Sequence, residues 1–280
     1  MNPNNDRSAN LPVTSDLKLI YTSSLIIAII VVIASLAGLQ YRTAIYPADE
    51  LLRSFLPNDV VNLLIVLPVL LGSMWLAWRG KLIGLLFWPG ALFIVLYNYL
   101  VYVFAMPLNV ASLLHLMLVT MSVYTLITLV ASMDGKAVGQ RLTGAVPERL
   151  AGGILAGLGM LFFLRVIAET VSAISSQTPI ASTELALLSV DFLTAPAWVI
   201  GGVLLWQRKE LGYVAGLGLL FQASMLFIGL IVFLILQPFL TAAPFVLTDV
   251  VVIFIMGLIG FIPLVLFVRG VVSTRNPSST

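Results

Sequence analysis

LAGGILAGLGMLFFLRVIAETVSAI, residues 150–174, decides the fold. A run of this length and apolarity is long enough to cross the ~30 Å hydrocarbon core of a bilayer, for which about 20 helical residues suffice. Its only ionisable members are Arg165 and Glu169, which are four residues apart. That spacing puts them one turn apart on one helix face, where opposite charges can neutralise each other. Charged groups at membrane depth are costly unless paired or turned towards a polar interior, so this pair marks the first candidate site.

The rest of the chain has the same character. Of its 280 residues 60% are hydrophobic and only 9% charged, with a mean hydropathy of +1.11, which places it among multi-pass membrane proteins. Seven further runs meet the length criterion: 19–39, 60–78, 82–105, 110–131, 185–206, 211–236 and 250–268. They are continuous and about twice the length of a barrel strand, so the expected fold is all-α with eight transmembrane helices. The first run exceeds a signal-peptide core and is read as a retained span. Pro68, Pro89, Pro196 and Pro263 lie inside spans, where membrane helices tolerate proline if neighbours satisfy the freed carbonyls.

Basic residues set the orientation. With the N-terminus inside, the cytoplasmic set is Arg7, Lys18, Arg79, Lys81, Lys136, Arg141, Arg149, Arg208, Lys209, Arg269 and Arg275, against Arg42 and Arg53 outside. This bias predicts a cell (plasma or inner) membrane protein with both termini cytoplasmic. The net charge of +2 arises from these loops and offers no basic stripe for nucleic acid.

Offsetting the chain by 128 residues aligns Pro68 with Pro196, Trp78 with Trp206, Lys81 with Lys209, Gly84 with Gly212, Gly90 with Gly218 and Phe93 with Phe221. Upstream the offset becomes 132, aligning Pro47 with Pro179 and Asp59 with Asp191, as though about one turn were lost before Pro196. Two parallel four-helix repeats, 17–133 and 150–270, are therefore expected. A cytoplasmic linker at 134–149 joins them, with a mobile tail at 1–16 and another tail at 271–280. Four spans per half preserve orientation, which makes the repeat axis run along the membrane normal. The layout resembles transporters built from duplicated halves, an analogy of architecture that fixes no function.

Candidate site residues follow from depth. The sixth span must start near Leu185 to reach Trp206, which carries Asp191 roughly 9 Å inward, level with Arg165 and Glu169. Asp59, Asn109 and Asp249 lie near span starts and read as helix caps. Tyr97, Tyr99 and Tyr102 read as members of an interfacial aromatic belt. Asn98 and His115 could extend the polar cluster, although a lone membrane histidine is more often a helix–helix hydrogen bonder. The ligand-binding set is thus Arg165, Glu169, Asp191, Asn98 and His115.

Zero cysteines and one histidine exclude thiolate metal sites and multi-histidine ligation within the chain. No cofactor or metal is expected, because the chain has no phosphate loop, dinucleotide fingerprint, zinc-protease motif or serine elbow. The favoured function is non-enzymatic: binding, and by extension transport, of a small polar or amphipathic ligand in the outer half of the bilayer. Membrane lipid is the obligatory partner. The alternatives are a structural or regulatory subunit resting against a partner or a second copy, and a lipid-modifying enzyme.

Overall fold

The computed structural model describes residues 11–273. It is all-helical, with α1 (Lys18–Gln40), α2 (Arg42–Ile45), α3 (Asp49–Val61), a π-helical turn (Asn62–Val66), α4 (Leu67–Trp78), α5 (Leu82–Ala105), α6 (Ser112–Ala131), α7 (Gly135–Leu142), α8 (Glu148–Ser176), α9 (Ser182–Trp206), α10 (Glu210–Leu240) and α11 (Leu247–Ser273). Eight helices are long and apolar enough to cross a membrane, with α3, the π turn and α4 forming one span of 30 residues. In lipid a backbone must satisfy its polar groups internally, and these uninterrupted apolar runs do so as helices. The protein is an integral, multi-pass membrane protein, and the outward sides of its helices are lipid-contacting.

Several boundaries differ from the hydropathy reading. The second span begins at Asp49 rather than near residue 60, because the polar segment Asp49–Asn58 is already helical and packs on its neighbours. The linker is not a plain loop: Asp134 accepts a hydrogen bond from the Ala137 N–H (3.0 Å) and caps α7. Nor is the polar start a free tail throughout. Leu11 is buried, Val13 pairs with Met133, and Thr14 N–H donates to the Ser132 carbonyl (2.8 Å). The first ten residues of that expected tail, and 274–280 of the other, lie outside the described residues.

α5 is the central helix, packing against α4, α6, α9 and α10, while α10 packs against α3, α5, α9 and α11. Glycine allows α5 and α10 to cross closely: a Cβ on Gly90 would run into the carbonyl of Gly218. α8 is peripheral and packs chiefly along α9. There Gly152 and Gly159 abut the α9 backbone, whereas Gly153 and Gly157 face open space.

The turns after α4 and α9 have the same backbone design. Gly80 N–H donates to Ala77 (2.8 Å) and Lys81 N–H to Leu76 (3.0 Å); Arg208 N–H donates to Leu205 (3.0 Å) and Lys209 N–H to Leu204 (2.9 Å). This is the Schellman closure, which needs a left-handed residue just past the helix. Gly80 (φ 70°) fills that place in the first turn and Arg208 (φ 58°) in the second.

Both turns lie at the same end of the bundle as α7, the basic end, where Arg79, Lys81, Lys136, Arg141, Arg208 and Lys209 gather. Glu148 secures this end. It accepts from Gly144 N–H (2.8 Å) and the Tyr213 hydroxyl (3.0 Å), with Arg208 at 3.8 Å.

Candidate functional site

Arg165 and Glu169 meet on α8, Nε to Oε1 at 2.6 Å. Nη1 of the same guanidinium lies 3.9 Å from Oδ2 of Asp191 on α9. Asp191 Oδ1 in turn accepts a 2.8 Å hydrogen bond from the Tyr97 hydroxyl on α5. Three helices therefore converge on one charged group. Its members differ in cover: the Asp191 side chain is 5% exposed, against 44% for Arg165 and 35% for Glu169.

The reason lies in α8. Leu158, two turns nearer the basic end and on the same side as Arg165, is buried. Beyond Gly159 the flanking helices no longer cover this side, and only Val166 of the remaining α8 residues is buried. Between the ends of α8 and α9 opens an apolar groove of about 580 Å³, with Val166, Thr170, Leu188 and Phe192 in its lining and Phe104 of α5. Val166 and Thr170 directly follow Arg165 and Glu169 in sequence, and Leu188 and Phe192 bracket Asp191. None of the three charged residues lines the groove, but their sequence neighbours do, so the charged group and the apolar slot belong to the same stretch of α8 and α9 on different faces of those helices.

Asn98 and His115 are not part of this group. Asn98 Nδ2 donates to Asn62 Oδ1 (2.8 Å) and Asn62 Nδ2 to the Tyr102 hydroxyl (3.4 Å). Tyr102 donates to Asp59 Oδ1 (2.9 Å), and Tyr46 donates to Asp59 Oδ2 (2.5 Å). His115 is buried against the rings of Tyr99 and Tyr102, with centroids 5.7 and 4.9 Å away. The five expected site residues therefore divide between two centres, one at α5/α8/α9 and one at α1/α3/α5/α6.

Two other expectations are corrected. Asp59 is no cap: α3 starts ten residues earlier, and Asp59 is 1% exposed in the core. Tyr99 and Tyr102 form no interfacial belt, since α5 is enclosed by helices and both are fully buried. Asp249 does lie in the first turn of α11, while Asn109 precedes α6 and accepts from Ala111 N–H (2.9 Å). Among the described residues no cluster of three or more potential metal-ligating His, Cys, Asp or Glu side chains occurs. No known protein family, curated protein or solved structure matches the chain.

Proposed function

We propose that the protein binds a small amphipathic molecule in the outer half of the bilayer, its polar head at Arg165, Glu169 and Asp191 and its apolar body in the adjoining groove. The observation that carries this reading is the half-exposed Arg165–Glu169 pair on a side of α8 that is covered two turns away. An ion pair at membrane depth without protein cover needs water, a headgroup or a ligand to complete its shell. Arg165 supplies donors for an anionic head and Glu169 an acceptor for a cationic one, so a zwitterionic or anionic amphiphile fits. The proposed topology puts both termini in the cytoplasm of a plasma or inner membrane, with the basic end inside.

Native mass spectrometry of the protein released from lipid nanodiscs tests this. The wild type should carry a small-molecule adduct that Arg165→Leu/Glu169→Leu loses while remaining monodisperse. Identical adducts on both proteins would refute it. The second reading, a subunit resting on a partner, is favoured by the bareness of α8 beyond residue 160, where Leu161, Leu164, Ile167, Val171 and Ile174 are all exposed. A stoichiometric polypeptide in the same spectrum, in place of a small molecule, would select it.

A further inference from the structure

Asp59 is the most enclosed carboxylate outside the Arg165 group, and its surroundings are unlike those of Asp191. Among the described residues no lysine or arginine pairs with Asp59, whereas Asp16, Glu169, Asp191 and Glu148 each have a basic partner. Its direct partners are hydroxyls: Tyr46 on Oδ2 and Tyr102 on Oδ1. Behind them, Asn58 Nδ2 (3.3 Å) and Asn62 Nδ2 (3.4 Å) donate to the Tyr102 hydroxyl, and Ser35 and Tyr99 share a hydrogen bond of 3.4 Å. α1 brings Ser35 and Gly38, α5 brings Tyr99 and Tyr102, and α6 brings His115 against the ring of Tyr102. α2 carries the exposed Arg42; α9 meets α3 at Glu50 through Ser182 and Thr183; α10 meets it through Gly229 at Val61 and Gln237 at the Arg53 carbonyl.

A carboxylate buried this deeply without a counter-cation is a group for which taking up a proton removes the cost of an uncompensated charge. The hydroxyl contacts keep the other state accessible, because donors aimed at both oxygens support the anion. A metal ion is poorly served here, since the groups around the carboxylate present N–H and O–H protons to it. We propose that Asp59 is a proton-binding site in the membrane core, reached through Tyr46, which exchanges one proton with the end of the bundle where the α2–α3 loop lies. On uptake Tyr46 passes its hydroxyl proton to Oδ2 and takes the incoming proton onto its own oxygen, which then accepts the hydrogen bond it previously donated; the net change is one proton gained by Asp59. Release reverses these steps and returns the proton by the same route. The π-helical turn begins three residues after Asp59, at Asn62, and such turns are frequent beside functional groups. This inference stands independently of the ligand site at Arg165.

Infrared titration of the purified protein in nanodiscs provides the test. The wild type minus Asp59→Asn difference should contain a protonated-carboxyl stretch that grows as pH falls with a single midpoint, and Asp191→Asn should retain it. Tyr46→Phe removes a donor to the anion, so the midpoint should rise by about one to two pH units. If Asp59→Asn does not fold, the displacement by Tyr46→Phe identifies the carboxyl on its own. A carboxyl signal that never titrates, a midpoint unmoved or lowered by Tyr46→Phe, or a midpoint that follows sodium at constant ionic strength would each overturn the proposal, the last by making a metal ion the ligand.

Discussion

Gly38 on α1 faces the Asp59 carboxylate and the Tyr46 hydroxyl so closely that a Cβ there would collide with both. Gly38→Ala should therefore destabilise the protein by about 1–3 kcal/mol, the usual cost of overpacking, and thermal unfolding in detergent would register it as a lowered Tm. Arg208 is the converse case, a non-glycine side chain in a left-handed conformation. Arg208→Gly relieves left-handed strain of about 1–2 kcal/mol, loses up to about 1 kcal/mol to the freer unfolded chain and gives up a 3.8 Å contact to Glu148, so the Tm should stay level or rise. At the charged group, Arg165→Leu leaves the buried Asp191 without its cation and should cost on the order of 3 kcal/mol. Removing Glu169 as well should restore part of the yield, because the two charges compensate each other; additive losses in purified yield would mean that they do not interact. The i, i+4 spacing made the Arg165–Glu169 contact legible in sequence, and the length needed to span made Asp191 legible beside it. Tyr97 was not, because a tyrosine near the end of a span has the same local sequence whether it meets headgroups or an acid on another helix.

At the scale of elements, hydropathy located all eight spans but misjudged their ends, since it registers apolarity and not helix. The polar residues Asp49, Glu50, Arg53 and Asn58 belong to a helix that continues past its apolar run. The central place of α5 had a sequence signal that the aromatic-belt reading passed over: Asn98, Tyr97, Tyr99 and Tyr102 carry polar atoms on several sides of one span, which only a helix enclosed by protein can satisfy. Close packing gives a sharper prediction. Gly90 meets the Gly218 backbone where α5 and α10 cross, whereas nothing lies within 4 Å of a Cβ on Gly157. Gly90→Val should abolish monodisperse protein on size exclusion, and Gly157→Val should leave the profile unchanged. Similar profiles for the two would show that the crossing is not tight.

At the scale of the molecule, two contacts join positions that the proposed repeat makes equivalent. Gly90 and Gly218, matched at offset 128, are in contact on α5 and α10. Glu50 and Ser182, unlike residues that the offset of 132 places at corresponding positions, share a 3.2 Å hydrogen bond where α3 and α9 begin. A residue can touch its own equivalent only near a two-fold axis, as in an isologous interface. One of these contacts is at the end opposite the basic turns and the other lies part-way along α5, so a line through both runs roughly along the spans, the direction expected of the axis of the proposed parallel repeats. The two Schellman turns then face the same side of the membrane. In the cysteine-free background, Arg79→Cys and Gln207→Cys should both resist a membrane-impermeant thiol reagent applied to intact cells and both react once the cells are opened. Thr178→Cys, in the exposed α8–α9 connection, should react from outside. Opposite accessibility of positions 79 and 207 would exclude a parallel repeat, and labelling of both from outside would keep the repeat while reversing the orientation assigned from the basic loops.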